Sequence, residues 1–120
     1  MAYVIVWEFK VRRGKAKQFE RAYGVHGEWV RLFRQSPTYI RTELIHDVRQ
    51  ASRYLTLDFW ASEAAYEAFR AGRKDEYSTI DARCEHMTET EREVGRFSGF
   101  DADVRLWRDA RRPRPRKPPA

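Results

Sequence analysis

The stretch that decides the fold is residues 3–11, which read Tyr-Val-Ile-Val-Trp-Glu-Phe-Lys-Val. β-Branched and aromatic residues favour a strand, and successive side chains of a strand point to opposite faces. One face carries the larger side chains, Tyr3, Ile5, Trp7 and Phe9. The other face carries Val4 and Val6, although one layer of helices covers only one face of a four-stranded sheet. This strand therefore predicts a second sheet, supplied by another copy of the chain.

The patterns after this strand place helices and strands in a definite order. Apolar residues at helical spacing indicate a helical region over residues 15–35, where Gly24 and Gly27 predict a break into two pieces. A second helical region, residues 62–87, starts at a good N-cap residue, Ser62, and breaks near Gly72. Strand-like runs occupy residues 39–46, 54–60 and 89–97. The order β-α-β-β-α-β predicts an α+β fold with the ferredoxin-like arrangement.

Alternation along the two middle strands predicts which side chains share a face. In the first of them, one face is expected to hold Ile40, Thr42, Leu44 and His46. The opposite face is expected to hold Tyr39, Arg41, Glu43 and Ile45. In the second, residues 54–60, Tyr54, Thr56, Asp58 and Trp60 share one face, and Leu55, Leu57 and Phe59 share the other.

The composition changes near residue 100, which we take as the end of the folded domain. The net charge is +6, and residues 104–120 hold seven basic residues and one acid, so the preceding part is neutral. Four of the five prolines also lie after residue 110. We therefore predict one domain over residues 1–100 and a disordered basic tail over residues 101–120. We do not expect the neutral domain itself to bind nucleic acid. The basic tail is suited either to contact nucleic acid, anionic lipid or an acidic partner, or to remain a solvated extension.

Several classes of protein are excluded by what the sequence lacks. The single cysteine, Cys84, excludes an internal disulfide and a cysteine-rich metal site. No apolar run approaches the roughly 20 residues of a membrane-spanning helix, and the first apolar run lacks a signal-peptide pattern. Phosphate-binding loops, serine-nucleophile elbows and metal-ligand clusters are also missing. We therefore expect a cytoplasmic protein without a metal.

Several of these patterns together resemble the antibiotic biosynthesis monooxygenase domain family. They are the first strand, Gly14 before the first helix, residues 19–24 (Phe-Glu-Arg-Ala-Tyr-Gly), the hairpin of residues 39–60, and residues 59–64 (Phe-Trp-Ala-Ser-Glu-Ala) that open the second helical region. The resemblance covers residues 3–97. It implies a ferredoxin-like protomer whose sheet packs face to face on a partner's sheet, forming the homodimer called a dimeric α/β barrel. The family includes cofactor-free oxygenases, haem-degrading oxygenases and proteins without known activity.

The haem-degrading branch of the family fits this sequence poorly. Members of that branch have an asparagine, a tryptophan and a histidine ligand at three positions. In this sequence the corresponding residues are Trp7, Phe69 and Thr79, so none of the three is present. His86 lies too late in the chain to replace the ligand. We therefore expect no cofactor.

Cofactor-free oxygenation of an aromatic small molecule requires a base and a dry aromatic pocket. His26 is the first candidate base, because its spacing from Tyr23 and Val30 places it on the buried stripe of the first helix. His46 is the second, on a strand face with Leu44. The candidate substrate-binding residues are aromatic: Trp7, Tyr23, Tyr54, Trp60, Tyr66, Phe69 and Tyr77.

An alternative interpretation of the same residues involves no catalysis. An aromatic stripe at helical spacing is commonly core, and a lone histidine is often satisfied structurally. Trp7 is also bulky enough to fill a pocket that relatives leave open. The alternative is a non-catalytic dimeric module that binds an aromatic or lipid-like ligand.

Overall fold

A computed structural model describes residues 1–100 as four strands and four α-helices. The elements are β1 (Ala2–Val11), α1 (Ala16–Tyr23), α2 (Glu28–Phe33), β2 (Tyr39–His46), β3 (Arg53–Trp60), α3 (Glu63–Ala71), α4 (Lys74–Cys84), a 3-10 turn (Glu85–Met87) and β4 (Thr88–Gly99). The strands form one antiparallel sheet in the order β2-β3-β1-β4. The predicted α+β ferredoxin-like fold is confirmed.

The predicted break in the first helical region lies between α1 and α2, and backbone crowding explains it. The N–H of Gly24 closes α1 by donating to the carbonyl of Glu20 at 2.9 Å. A Cβ atom at Gly27 would lie 2.1 Å from the carbonyl oxygen of Ala22. Only glycine allows the chain to turn so tightly against the end of α1.

The predicted faces of β2 are correct from Arg41 onward and wrong at its start. Tyr39 lies opposite Trp60 and Arg41 lies opposite Phe59, with a register irregularity between them. Tyr39 is thereby buried on the helix side, whereas Ile40 packs in the small cluster on the opposite face. A β-bulge accounts for the correction, because one extra residue reverses the alternation before it.

The helices cover one face of the sheet, and this face holds most of the core. The core includes Ile5, Phe9, Phe19, Val30, Tyr54 and Trp60, all buried. A smaller cluster, which we call the outer cluster, lies on the other face and contains no helical residue: Ala2, Val4 and Phe59, with Val6, Ile40 and Leu57 packed against them. The Arg41 guanidinium lies 3.9 Å from the centre of the Phe59 ring, and Ile45 and Phe97 remain about half exposed.

The tail predicted over residues 101–120 lies outside the described residues. Every helix between residues 1 and 100 is too short or too polar to span a bilayer.

Candidate functional site

A cavity of about 110 Å³ lies between the helix-covered face of the sheet and the helices. All four strands and all four helices supply its walls. The lining residues are Trp7, Phe9, Tyr23, Trp29, Phe33, Thr42, Thr56, Asp58, Tyr66, Arg70, Tyr77, Asp81 and Glu91. Most of the walls are aromatic rings. Four charged or titratable side chains other than tyrosine also line the cavity: Asp58, Arg70, Asp81 and Glu91.

The Asp58 carboxyl group lies on the helix-covered face in the middle of the sheet. β3 places it between Ile5 of β1 and Thr42 of β2. Thr42 Oγ1 donates to Asp58 Oδ1 at 2.7 Å, and Tyr39 Oη donates to Thr42 Oγ1 at 2.7 Å. Burial raises the pKa of Asp58 to about 6, although the hydrogen bond from Thr42 acts in the opposite direction. A carboxyl group with a pKa near neutrality can accept and return a proton under physiological conditions.

Aromatic rings form the walls around this carboxyl group. The Trp29 ring meets Tyr77 edge-on at 5.5 Å and tilts against Tyr23 at 6.2 Å. Burial raises the pKa of both Tyr23 and Tyr77, so both hydroxyls keep their protons at neutral pH. Tyr77 Oη is buried without a hydrogen-bond partner within residues 1–100, whereas the Trp29 side chain interacts with Tyr23 and Cys84 and acts to lower the pKa of both, against the larger effect of burial. Tyr77 Oη and Trp29 Nε1 are both fully buried, so a bound molecule meets the faces and edges of these rings rather than their polar groups.

Three charged side chains border the cavity near α4 and β4. Arg70 donates to Tyr66 Oη at 3.0 Å, and its guanidinium lies 5.4 Å from the centre of the Tyr77 ring. Burial raises the pKa of Asp81 and of Glu91, and the charge of Asp81 raises that of Glu91 further. Both of these residues are exposed overall. Acidic groups therefore lie at the solvent side of the cavity, with Asp58 deeper inside.

The profile of the antibiotic biosynthesis monooxygenase family matches residues 2–93. The chain belongs to this family. Among curated proteins, no sequence matches this family member.

Solved structures of other proteins share the fold at low sequence identity. A putative antibiotic biosynthesis monooxygenase from Nitrosomonas europaea is 15% identical, with a TM-score of 0.63 over 83% of this chain and 91% of that one. SnoaB, a cofactor-independent oxygenase from Streptomyces nogalater, is 17% identical, with a TM-score of 0.58 over 84% and 95%. A NIPSNAP family protein from Agrobacterium tumefaciens is 14% identical, with a TM-score of 0.63 over 87% and 98%. These likenesses support the fold and not the activity.

The cavity of this family member brings together four of the seven aromatic residues predicted to bind substrate. Trp7, Tyr23, Tyr66 and Tyr77 line it. Tyr54 and Trp60 do not line it and are buried in the core, and Phe69 packs against the Trp60 ring at 5.4 Å.

The two predicted bases lie outside the cavity. His26 is exposed in the turn between α1 and α2, so its expected place on a buried helical stripe is wrong, because α1 ends at Tyr23 and the helical phase does not continue. His46 is exposed, stacks on the Tyr54 ring at 4.0 Å, and its Nε2 lies 2.8 Å from the carbonyl oxygen of Ala51. A catalytic role for either histidine stays a prediction.

Sequence reasoning missed the four charged residues of the cavity, Asp58, Arg70, Asp81 and Glu91. Asp58 carried a signal, since it shares a predicted strand face with Tyr54 and Trp60, where a carboxyl group is costly to bury. The other three lie on α3, α4 and β4, and only the tertiary structure brings them to one cavity. Within residues 1–100, no group of three His, Cys, Asp or Glu side chains is placed to hold a metal ion.

Proposed function

We propose that this family member binds a small aromatic molecule in the cavity and oxygenates it without a cofactor, with Asp58 as the base. The single observation that carries the proposal is a carboxyl group of pKa about 6 inside an aromatic cavity. Membership of the family supports the reaction class.

The proposed chemistry begins with proton transfer from a ring hydroxyl to the Asp58 carboxylate. The electron pair released into the ring is donated from a ring carbon to O₂, which forms a C–O bond and, after protonation, a hydroperoxide. The O–O bond and the C–H bond at that carbon then break, so that a quinone-type carbonyl and water are formed. The aromatic walls exclude water from these steps.

The size of the cavity indicates the size of the substrate. An apolar cavity of about 150 Å³ holds one benzene molecule. The cavity here, about 110 Å³, is smaller, so it holds no more than a single ring, and any substituent larger than a hydroxyl group must lie at the solvent side beside Asp81 and Glu91. Trp7 on β1 occupies space that a second ring would need.

We also propose that the active form is a homodimer joined through the outer cluster. Members of the family are commonly dimeric. The outer cluster is apolar and has no helix over it within residues 1–100. Face-to-face packing against the same surface of a second copy would remove the exposed parts of Ile45 and Phe97 from water.

Oxygen uptake with a panel of single-ring phenols tests the proposed reaction. We expect uptake by the wild type with at least one phenol, and a loss of about 100-fold or more in kcat for Asp58→Asn. Glu76→Gln on the exposed surface of α4 is the matched control and should keep the wild-type rate. An Asp58→Asn variant that stays within about threefold of the wild type would rule out Asp58 as the base.

The same cavity also supports binding without catalysis as a second candidate function. Its small volume favours this alternative, because a ring that fills the cavity leaves little space for O₂ beside it. Phenols that bind in calorimetry but cause no oxygen uptake under any condition would select this second function.

A further inference from the structure

We propose that the aromatic molecule bound in this cavity carries a positively charged nitrogen substituent, as a benzylammonium ion does. The inference rests on the proposed function only for the location of the site, and it adds the chemical class of the ligand. The observations that carry it are the charges at the cavity, the partners of those charges, and the nature of the walls.

The cavity has more negative than positive groups. Asp58, Asp81 and Glu91 line it, and Arg70 is the one basic residue among the lining residues. Arg70 is already engaged with Tyr66 Oη and the Tyr77 ring. When the three carboxyl groups are ionised, the lining carries a net negative charge, which disfavours an anionic ligand and favours a cation.

Arg70 balances only one of these three carboxyl groups: its charge lowers the pKa of Asp81, whereas no cation within residues 1–100 lowers that of Asp58 or Glu91. Glu8 binds Arg53 and Arg92, and Glu67 binds Arg96. Within residues 1–100, by comparison, neither Asp58, Asp81 nor Glu91 forms a salt bridge, and burial raises the pKa of each. A bound cation would supply the missing countercharge.

The walls of the cavity are suited to an organic cation rather than to a metal ion. Trp7, Trp29 and Tyr77 present aromatic rings, which attract an ammonium group through their π-electrons. Carboxylates together with aromatic rings are the combination that recognises alkylammonium groups.

The positions of the carboxyl groups suggest how such a molecule would lie. Asp58 is in the interior, beside β1 and β2, whereas Asp81 and Glu91 are exposed at the α4–β4 side. A single ring fills a cavity of this size, so a substituent on the ring extends to the solvent side, where Asp81 and Glu91 are exposed. We place the ring hydroxyl towards Asp58 and the ammonium group towards Asp81 and Glu91.

Anaerobic calorimetry with three ligands of equal size but different charge tests this inference: benzylammonium, benzyl alcohol and benzoate. We expect benzylammonium to bind about tenfold or more tightly than benzyl alcohol, and benzoate to bind too weakly to measure. The double substitution Asp81→Asn/Glu91→Gln should reduce the preference for benzylammonium to about threefold or less, with the affinity for benzyl alcohol unchanged. Glu76→Gln is the control, because Glu76 lies in a separate surface groove between α2 and α4. This variant should keep the full preference for benzylammonium over benzyl alcohol.

Two results would overturn the inference. One is benzyl alcohol or benzoate binding as tightly as benzylammonium to the wild type. The other is a preference for benzylammonium that survives in the double variant, since the charge would then be recognised elsewhere. Circular dichroism of the double variant shows whether it is folded, and both substituted residues are exposed, so we expect native spectra.

Failure of this inference is distinguishable from failure of the proposed function. Binding is measured without oxygen, and the reaction is measured separately by oxygen uptake. A preference for benzylammonium without any uptake supports the ligand class and contradicts the oxygenase. Uptake with neutral phenols that depends on Asp58, but without a preference for benzylammonium, supports the oxygenase and contradicts the ligand class.

Discussion

Asp58 is a candidate for a residue kept for function rather than for stability, because burial of its carboxyl group disfavours the ionised form. Its side chain occupies a core-facing position in β3, where an apolar residue would pack without desolvating a charge. Strongly perturbed carboxyl groups in clefts are frequent at functional sites. The hydrogen-bonded series from Tyr39 through Thr42 to Asp58 fixes one carboxylate oxygen and leaves the other without a hydrogen bond from residues 1–100.

The stability of Asp58→Asn should differ from that of the wild type in a pH-dependent way. In the folded state the pKa of Asp58 is about 6, whereas in the unfolded chain it is near the usual value of 3.8. As the pH rises between these two values, the unfolded chain releases the proton of Asp58 more readily than the folded state does, so the free energy of unfolding falls. The difference corresponds to about 3 kcal/mol. Urea unfolding should therefore find the variant more stable than the wild type at pH 7 by up to about 3 kcal/mol, and similar to it near pH 4. A variant that is less stable at pH 7 would refute the raised pKa.

Trp7 should limit the size of the ligand. We expect Trp7→Ala to enlarge the cavity and to lower the free energy of unfolding by roughly 2–4 kcal/mol, less than for a fully buried tryptophan. Calorimetry should then detect binding of 1-naphthylmethanol, a two-ring alcohol that the wild type excludes. If the wild type already binds this alcohol as well as benzyl alcohol, Trp7 does not set the limit.

At the scale of elements, the turn between α1 and α2 determines how the helices cover the sheet. Gly27→Ala should destabilise the protein by more than about 2 kcal/mol, because its Cβ would collide with the backbone carbonyl of Ala22. Gly72→Ala is the matched control, since a Cβ there would lie 3.6 Å from its nearest neighbour. The control should be neutral or stabilising by up to about 1 kcal/mol in thermal unfolding. Equal effects of both substitutions would contradict the close approach at Gly27.

The order of the helices and strands was predictable from the sequence, whereas the residues of the cavity were not. Periodicity and glycine positions predicted the order of strands and helices, because these signals are local. The bulge at Ile40 reversed the alternation of faces before it, so the predicted face of Tyr39 was wrong. Because α1 ends at Tyr23, the helical spacing does not extend to His26, and the predicted burial of His26 was also wrong. The cavity carboxyl groups come from β3, α4 and β4, and no local pattern relates Asp58 to Asp81 and Glu91.

At the scale of the whole molecule, the outer cluster should hold two copies of the chain together. Val6 lies in this cluster between Leu57 and Gly95 of the neighbouring strands. Val6→Asp should convert a dimer into a monomer in sedimentation at micromolar concentration, because a carboxylate would lose its hydration at the interface. Val48→Asp, at a position 95% exposed in the turn between β2 and β3, should remain dimeric. A wild-type chain that sediments as a monomer would contradict the proposed dimer.

The most direct test of the central claim, that Asp58 is a base poised in a ligand-binding cavity, is a ¹³C nuclear magnetic resonance titration of its side-chain carboxyl group. We predict a midpoint near pH 6 for the free protein, assigned by the loss of the resonance in Asp58→Asn. Addition of a single-ring phenol that binds should move both the chemical shift and the midpoint. A midpoint near the usual 3.8, unchanged by any phenol that binds, would contradict the account.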